Sequence, residues 1–241
     1  MPSPSAQPDF STSILFAALC FCFNPEEKSL TVAQLISRGF APSEELCRYS
    51  LAKLIKSGKI DARLSRKYQP RLYMGIPKRE LDILRPSIPI SMQNQAIVRS
   101  VQQARESVLK SAEQLAEKNE MVLEVLAGEC IEYSLFYAVI NNLKINNPDP
   151  FNPRLQLLLM EISLSQVFML IWRTLKECDR EDIKSRTIDF SELMESTYEF
   201  YLAYTRSNFK IPHYNRPKSL KTSKVAGILL ADLTAEKNKR K

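Results

Sequence analysis

The chain has 241 residues, 44% of them hydrophobic and 25% charged, with only five glycines. That length admits one large domain or two ordinary ones, and the balance excludes a disordered, collagen-like or disulfide-stapled chain. So few glycines also exclude a protein built on tight hairpins or phosphate-cradling loops, and they favour helices. The net charge of +7 is unevenly spread: residues 1–90 hold 13 Lys/Arg against 8 Asp/Glu, 91–205 hold 11 against 17, and 206–241 hold 10 against 2. Two basic ends around an acidic middle suggest that the ends meet a polyanion.

Residues 1–8 read as a loose leader. The apolar run Ile14–Phe23 has no basic residue before it and no small-x-small site after it, so a buried helix is expected and not a signal peptide. The apolar stretch Leu155–Trp172 carries Glu161, Ser163, Ser165 and Gln166 and is read as a core helix, with no membrane insertion. Cys20, Cys22, Cys47, Cys130 and Cys178 are scattered through apolar segments, as free thiols in a reducing compartment would be. Cys20-x-Cys22 lacks a second Cys/His pair and the chain has one histidine, so no metal and no cofactor are expected.

Three helices fit residues 11–57. The first is apolar over most of its surface. The second, Thr31–Ser37, ends at Gly39 as a left-handed cap. The third starts near Pro42, sets Glu44 and Glu45 against its positive end, turns Leu46, Leu51, Leu54 and Ile55 inward, with either Tyr49 or Ser50 beside them, and stops at Ser57-Gly58. Two short strands are expected at Lys59–Ser65 and Arg71–Ile76, where apolar and polar residues alternate around Arg66-Lys67-Tyr68-Gln69-Pro70.

The phrase Leu51-Ala-Lys-Leu54-Ile-Lys-Ser-Gly58-Lys-Ile60, followed by Arg71-Leu-Tyr73, resembles the end of a recognition helix, its glycine turn and two wing strands of the winged helix-turn-helix superfamily. The resemblance covers residues 9–76. It implies that the third helix enters the major groove, with Ser43, Arg48, Tyr49 and Lys53 touching bases and phosphates of double-stranded DNA. It implies phosphate contacts by the wing through Arg63, Arg66, Lys67 and Arg71. Between Arg48 and Arg85 there are 11 basic and 3 acidic residues, which supports a basic surface independently. Glu44 and Glu45 depart from the pattern, because carboxylates sit poorly beside phosphates. They are dipole-neutralising residues turned aside, acceptors for a cytosine amino group, or a sign that the module docks protein.

Pro77, Pro86 and Pro89 mark residues 77–90 as a linker. From 91 to 206 the periodicity predicts an all-helical bundle of four helices, at about 91–118, 120–144, 153–178 and 190–206, with Asn152 and Pro153 opening the third. Val98, Val101, Val108, Ala112 and Leu115 fall on one stripe interrupted by Arg105, which is the expected homodimer seam. Residues 207–241 read as a basic tail: solvated, a second phosphate-contacting arm, or a basic amphipathic segment on an anionic membrane or a partner groove, with Ile228, Leu229, Leu230 and Leu233 of the patch Val225–Leu233 able to pack on the body.

The remaining constellations carry no chemistry. Glu113, Glu117, Glu120 and Glu124 lack the histidines of a di-metal centre, Tyr198, Phe200, Tyr201 and Tyr204 have core spacing, and His213 is read as a loop residue without partners. The expectation is a mainly α, non-enzymatic protein: a DNA-binding transcriptional regulator or accessory factor, cytoplasmic and nucleoid-associated when bound. The rival is an adaptor whose winged helix docks a partner complex, with a further protein partner on the bundle.

Overall fold

The structure is a computed structural model that describes residues 9–64, 81–179 and 187–239. It is mainly helical, with a small sheet. The chain divides into two compact units, residues 1–121 with 223–241 and residues 122–222.

Unit 1 opens with α1 (Phe10–Cys20), capped by the Asp9 carboxylate, which accepts from the Thr12 amide at 2.6 Å. Every α1 residue except the half-buried Phe16 is buried, the hydroxyl residues Ser11, Thr12 and Ser13 of its first turn along with the apolar ones. The short strand β1 (Ser29–Thr31) leads into α2 (Val32–Ser37), which a reciprocal Thr31–Gln34 capping box starts. Gly39, at φ +67°, ends α2, since only glycine adopts that backbone without strain. Ser43 caps α3 (Glu44–Lys56), and Gly58, at φ +69°, turns the chain toward β2 (Ala62–Leu64).

The partner of β2 is β3 (Leu81–Leu84), which lies inside the stretch expected to be a linker. The expected second wing strand, Arg71–Ile76, lies outside the described residues. β3 is the central strand of an antiparallel sheet ordered β1-β3-β2, pairing Ile83 with both Leu30 and Ala62. Ile83 is fully buried, and alternation with Asp82 was the signal that the nearby prolines obscured.

A 3-10 turn (Ile90–Met92) leads into α4 (Gln93–Lys110), which packs on α1 through Ile97, Ser100 and Ala104. The expected helix 91–118 is therefore two helices. Ser111 is extended (φ −149°, ψ 130°), and α5 (Ala112–Ile140) begins after it.

Residues 122–140 of α5 belong to unit 2. There β4 (Lys144–Asn146) follows, then α6 (Pro153–Glu161), opened by Asn152 and Pro153 as the sequence predicts. The single expected helix 153–178 breaks at Ile162, which is extended, and α7 (Leu164–Asp179) restarts behind it. Gln166 reaches back to accept from the Ser163 amide at 3.1 Å, so Ser163-x-x-Gln166 was a helix-start signal within an apolar run. β5 (Thr187–Asp189) pairs parallel with β4 and feeds α8 (Phe190–Arg206). The core of unit 2 gathers Tyr133, Leu155, Leu158, Phe168, Ile171 and Phe190.

Residues 207–222 cross that core as an irregular strap. Ile211 is buried, the Tyr214 ring stacks on Trp172 at 5.2 Å, and the Tyr214 amide donates to the Ser165 carbonyl at 3.0 Å. Arg216 is bound to Glu129, a carboxylate fully removed from solvent.

The chain then returns to unit 1 as α9 (Lys224–Lys239), where a basic tail was expected. The Lys224 amide donates to the Gly39 carbonyl at 2.7 Å and the Val225 amide to that of Phe40 at 3.2 Å. Val225, Ala226 and Leu229 are buried, so the apolar patch is core and not a solvated arm.

Candidate nucleic-acid interface

α3 presents two unlike faces. Cys47, Ser50, Leu51 and Leu54 point into unit 1, and burial pushes the Cys47 thiol up to about 12. Opposite them Glu45, Tyr49, Ala52 and Lys56 recur at helical spacing, and all four are exposed. Tyr49 is 60% exposed, which decides the choice between Tyr49 and Ser50 for the inward position in favour of Ser50.

The four residues that the resemblance assigns to DNA on or beside α3 fare differently. Ser43 spends its hydroxyl as the helix cap, accepting from the Leu46 amide at 3.2 Å. The Arg48 guanidinium donates to Glu44 at 2.9 Å, one helical turn away. Lys53 turns to the side and donates to Glu117 of α5 at 2.5 Å. Burial opposes the charge of Lys53, but the Glu117 bond and its charge outweigh that and hold its pKa above the ordinary lysine value. Only Tyr49 lies at the centre of the solvent face.

On the wing side, Arg63 is exposed, with its guanidinium 4.0 Å from Asp82. Arg66, Lys67 and Arg71 lie outside the described residues. Other cations are structural. Arg38 grips Glu27 with both terminal nitrogens and also bonds the Cys22 carbonyl. That grip holds the Glu27 carboxyl down at about 2. Arg85 donates to the Asn24 and Pro25 carbonyls and to Gln93. Lys59 sits over the Phe16 ring at 5.8 Å. Sequence counting alone could not separate these bound cations from the exposed Lys56 and Arg63.

The expected dimer seam is divided. The break at Ser111 puts Val98, Val101, Arg105 and Val108 on α4 and Ala112 and Leu115 on α5. Val101 is half-buried against Ala17, Cys20 and Ile97 inside unit 1, and Val108 is half-buried too. Val98, Arg105, Ala112 and Leu115 are exposed, and so is Leu109, which the stripe omitted.

His213 has partners after all: its Nδ1 lies 2.7 Å from the Ser165 hydroxyl. Ser165 sits in the first turn of α7, where Ser163 and Gln166 complete the polar group. The geometry fastens the strap, and among the described residues no acid bonds to this pair. A cleft of about 470 Å³ between α7 and α8 is lined by Thr174, Glu177, Cys178, Ser196, Glu199 and Phe200. Among the described residues no group of three His, Cys, Asp or Glu is placed to hold a metal, and no helix is long and apolar enough to cross a membrane. No family model, curated protein or solved structure matches the chain.

Proposed function

We propose that unit 1 is a winged helix that binds double-stranded DNA, with α3 in the major groove and the segment between β2 and β3 on the phosphates. The observation that carries this reading is the element order α1-β1-α2-α3-β2-β3 with the antiparallel strand order β1-β3-β2. The connecting residues 65–80 hold five basic residues and one acidic residue, a composition suited to phosphate contacts. The protein is accordingly a regulator or accessory factor of DNA, acting without catalysis, and the exposed Val98, Leu109 and Leu115 are its self-association surface.

The test is a salt titration of duplex binding by the full chain. Binding at low salt should weaken steeply as salt rises. Replacing Arg63, Arg66, Lys67 and Arg71 by alanine should flatten the slope by about 0.9 for each phosphate that is no longer neutralised. A quadruple variant indistinguishable from wild type overturns the wing assignment.

A second reading has a specific observation behind it. Arg48 and Lys53 are both neutralised by glutamates, Glu44 and Glu117, which leaves the α3 surface mixed in charge. A mixed face with an exposed tyrosine at its centre also suits a protein partner. Absence of any duplex binding at low salt selects that reading.

A further inference from the structure

The glutamate pair at the start of α3 is the feature that a DNA-binding surface explains least, and the two residues prove to be different. Glu44 is turned along the helix and bonded to Arg48, so its charge is answered within the protein. It also already supplies the negative group that the helix N-terminus favours. Glu45 instead stands on the solvent face in line with Tyr49, Ala52 and Lys56, in the first turn. In helix-turn-helix modules the first turns of the recognition helix are the part that meets base edges.

A carboxylate in that position cannot face a phosphate without repulsion, but it can accept from an amino group on a base edge. Two bases offer one in the major groove. Adenine presents its amino group beside the N7 acceptor, which repels a second acceptor. Cytosine presents the N4 amino group with no acceptor next to it on the same base. A carboxylate therefore selects cytosine. Ala52, further along the same face, is a small apolar residue of the type that packs on a thymine methyl.

We infer that Glu45 is a specificity-determining residue that accepts from the amino group of a cytosine, making a C·G pair obligatory in the target. The inference rests on the DNA reading of unit 1. It commits the protein to choosing sequences, where the basic residues alone give affinity without choice.

The experiment selects binders from a duplex library with a randomised core, using the full-length wild type and the Glu45→Gln and Glu45→Ala variants. Wild type should enrich a motif with one fixed C·G pair. Glu45→Gln should move that position toward A·T, because a carboxamide accepts from N6 and donates to N7, with a preference change of about tenfold or more. Glu45→Ala should lose the preference without gaining another. Both variants should bind random duplex at least as tightly as wild type, since each removes a negative charge, and a circular-dichroism melt like that of wild type shows that unit 1 is folded. A fixed motif unchanged by both substitutions overturns the role of Glu45 and leaves the DNA reading standing. Salt-dependent binding with no enriched motif also overturns it, and makes the protein a non-selective binder. No duplex binding by wild type at low salt overturns the inference together with the reading it rests on.

Discussion

The two units solve the same packing problem with different chain economies. Unit 2 is one continuous stretch, residues 122–222, and its core is a single cluster that the strap closes with Tyr214 and Arg216. Unit 1 is made of two stretches about a hundred residues apart, and the second supplies α9. The units differ in their polar interiors as well. Each unit buries hydroxyls without a hydrogen-bond partner among the described residues, Thr12 and Ser13 in unit 1 and Tyr133 in unit 2, but unit 2 also buries a carboxylate and answers it with a guanidinium. The lesson is that the support of an element need not be encoded near it in the sequence: the turn before α3 is held by backbone bonds from residues 224 and 225.

The contrast between the units is sharpest at α9. Deleting residues 223–241 removes the burial of Val225 and Leu229, a loss of about 3–6 kcal/mol at roughly 1.5–3 kcal/mol per side chain. Hydrogen exchange should rise across α1 and the α2–α3 turn while the core of unit 2 stays protected. Uniform loss of protection would show that the units do not respond separately. Deleting only 235–241 keeps Val225–Leu229 and should leave the melting temperature almost unchanged.

The reciprocal test addresses unit 2. Arg216→Met leaves Glu129 buried and without its guanidinium, at a cost of about 3–5 kcal/mol. Adding Glu129→Leu should recover most of that loss in a urea titration. A double variant no more stable than the single one would mean that Arg216 acts through the bonds it donates to the Leu220 and Lys221 carbonyls, at 2.8 and 3.2 Å, and not through the ion pair.

A smaller effect is expected at the α6–α7 break. Gln166→Ala removes the acceptor for Ser163 and the bond to the Ile211 carbonyl, costing about 1–2 kcal/mol by chemical denaturation. No change would mean that the break is set by packing alone.

The smallest effect is electrostatic and belongs to unit 1. Glu27 titrates at about 2 when folded, against an ordinary 4.5. A depressed carboxyl contributes stability that is fully present above pH 4.5 and is lost as pH falls through about 2. Arg38→Met should remove that part of the acid dependence and, because the half-buried pair is still screened by solvent, change stability at neutral pH by at most about 1 kcal/mol. An acid profile identical to wild type would assign the loss to other carboxylates.

Much of the helical content was legible because its signals are local. Gly39 and Gly58 marked turns that only their conformation allows, and Asn152-Pro153 marked a helix start. The failures came where distant parts of the chain decide the outcome. Residues 224–231 carry an apolar patch among lysines, and only the groove offered by α1 turns that patch into a buried helix face. Leu81–Leu84 is too short to announce itself between prolines, and becomes a strand because β1 and β2 pair on its two edges. For the interface, the Glu44–Arg48 pair was readable from its spacing of four. The Lys53–Glu117 pair, 64 residues apart, was not.

The return of the chain at residue 223 also sets an order of events during synthesis. Helices α1 to α4 leave the ribosome first, yet the surface that α9 covers stays open until all of unit 2 has been made. Contiguous units generally fold as they emerge, whereas unit 1 cannot close until α9 has followed. A released chain that stops just before Ser223 would therefore hold every residue of unit 2 but leave unit 1 unclosed, with the seat of Val225 and Leu229 exposed to chaperones.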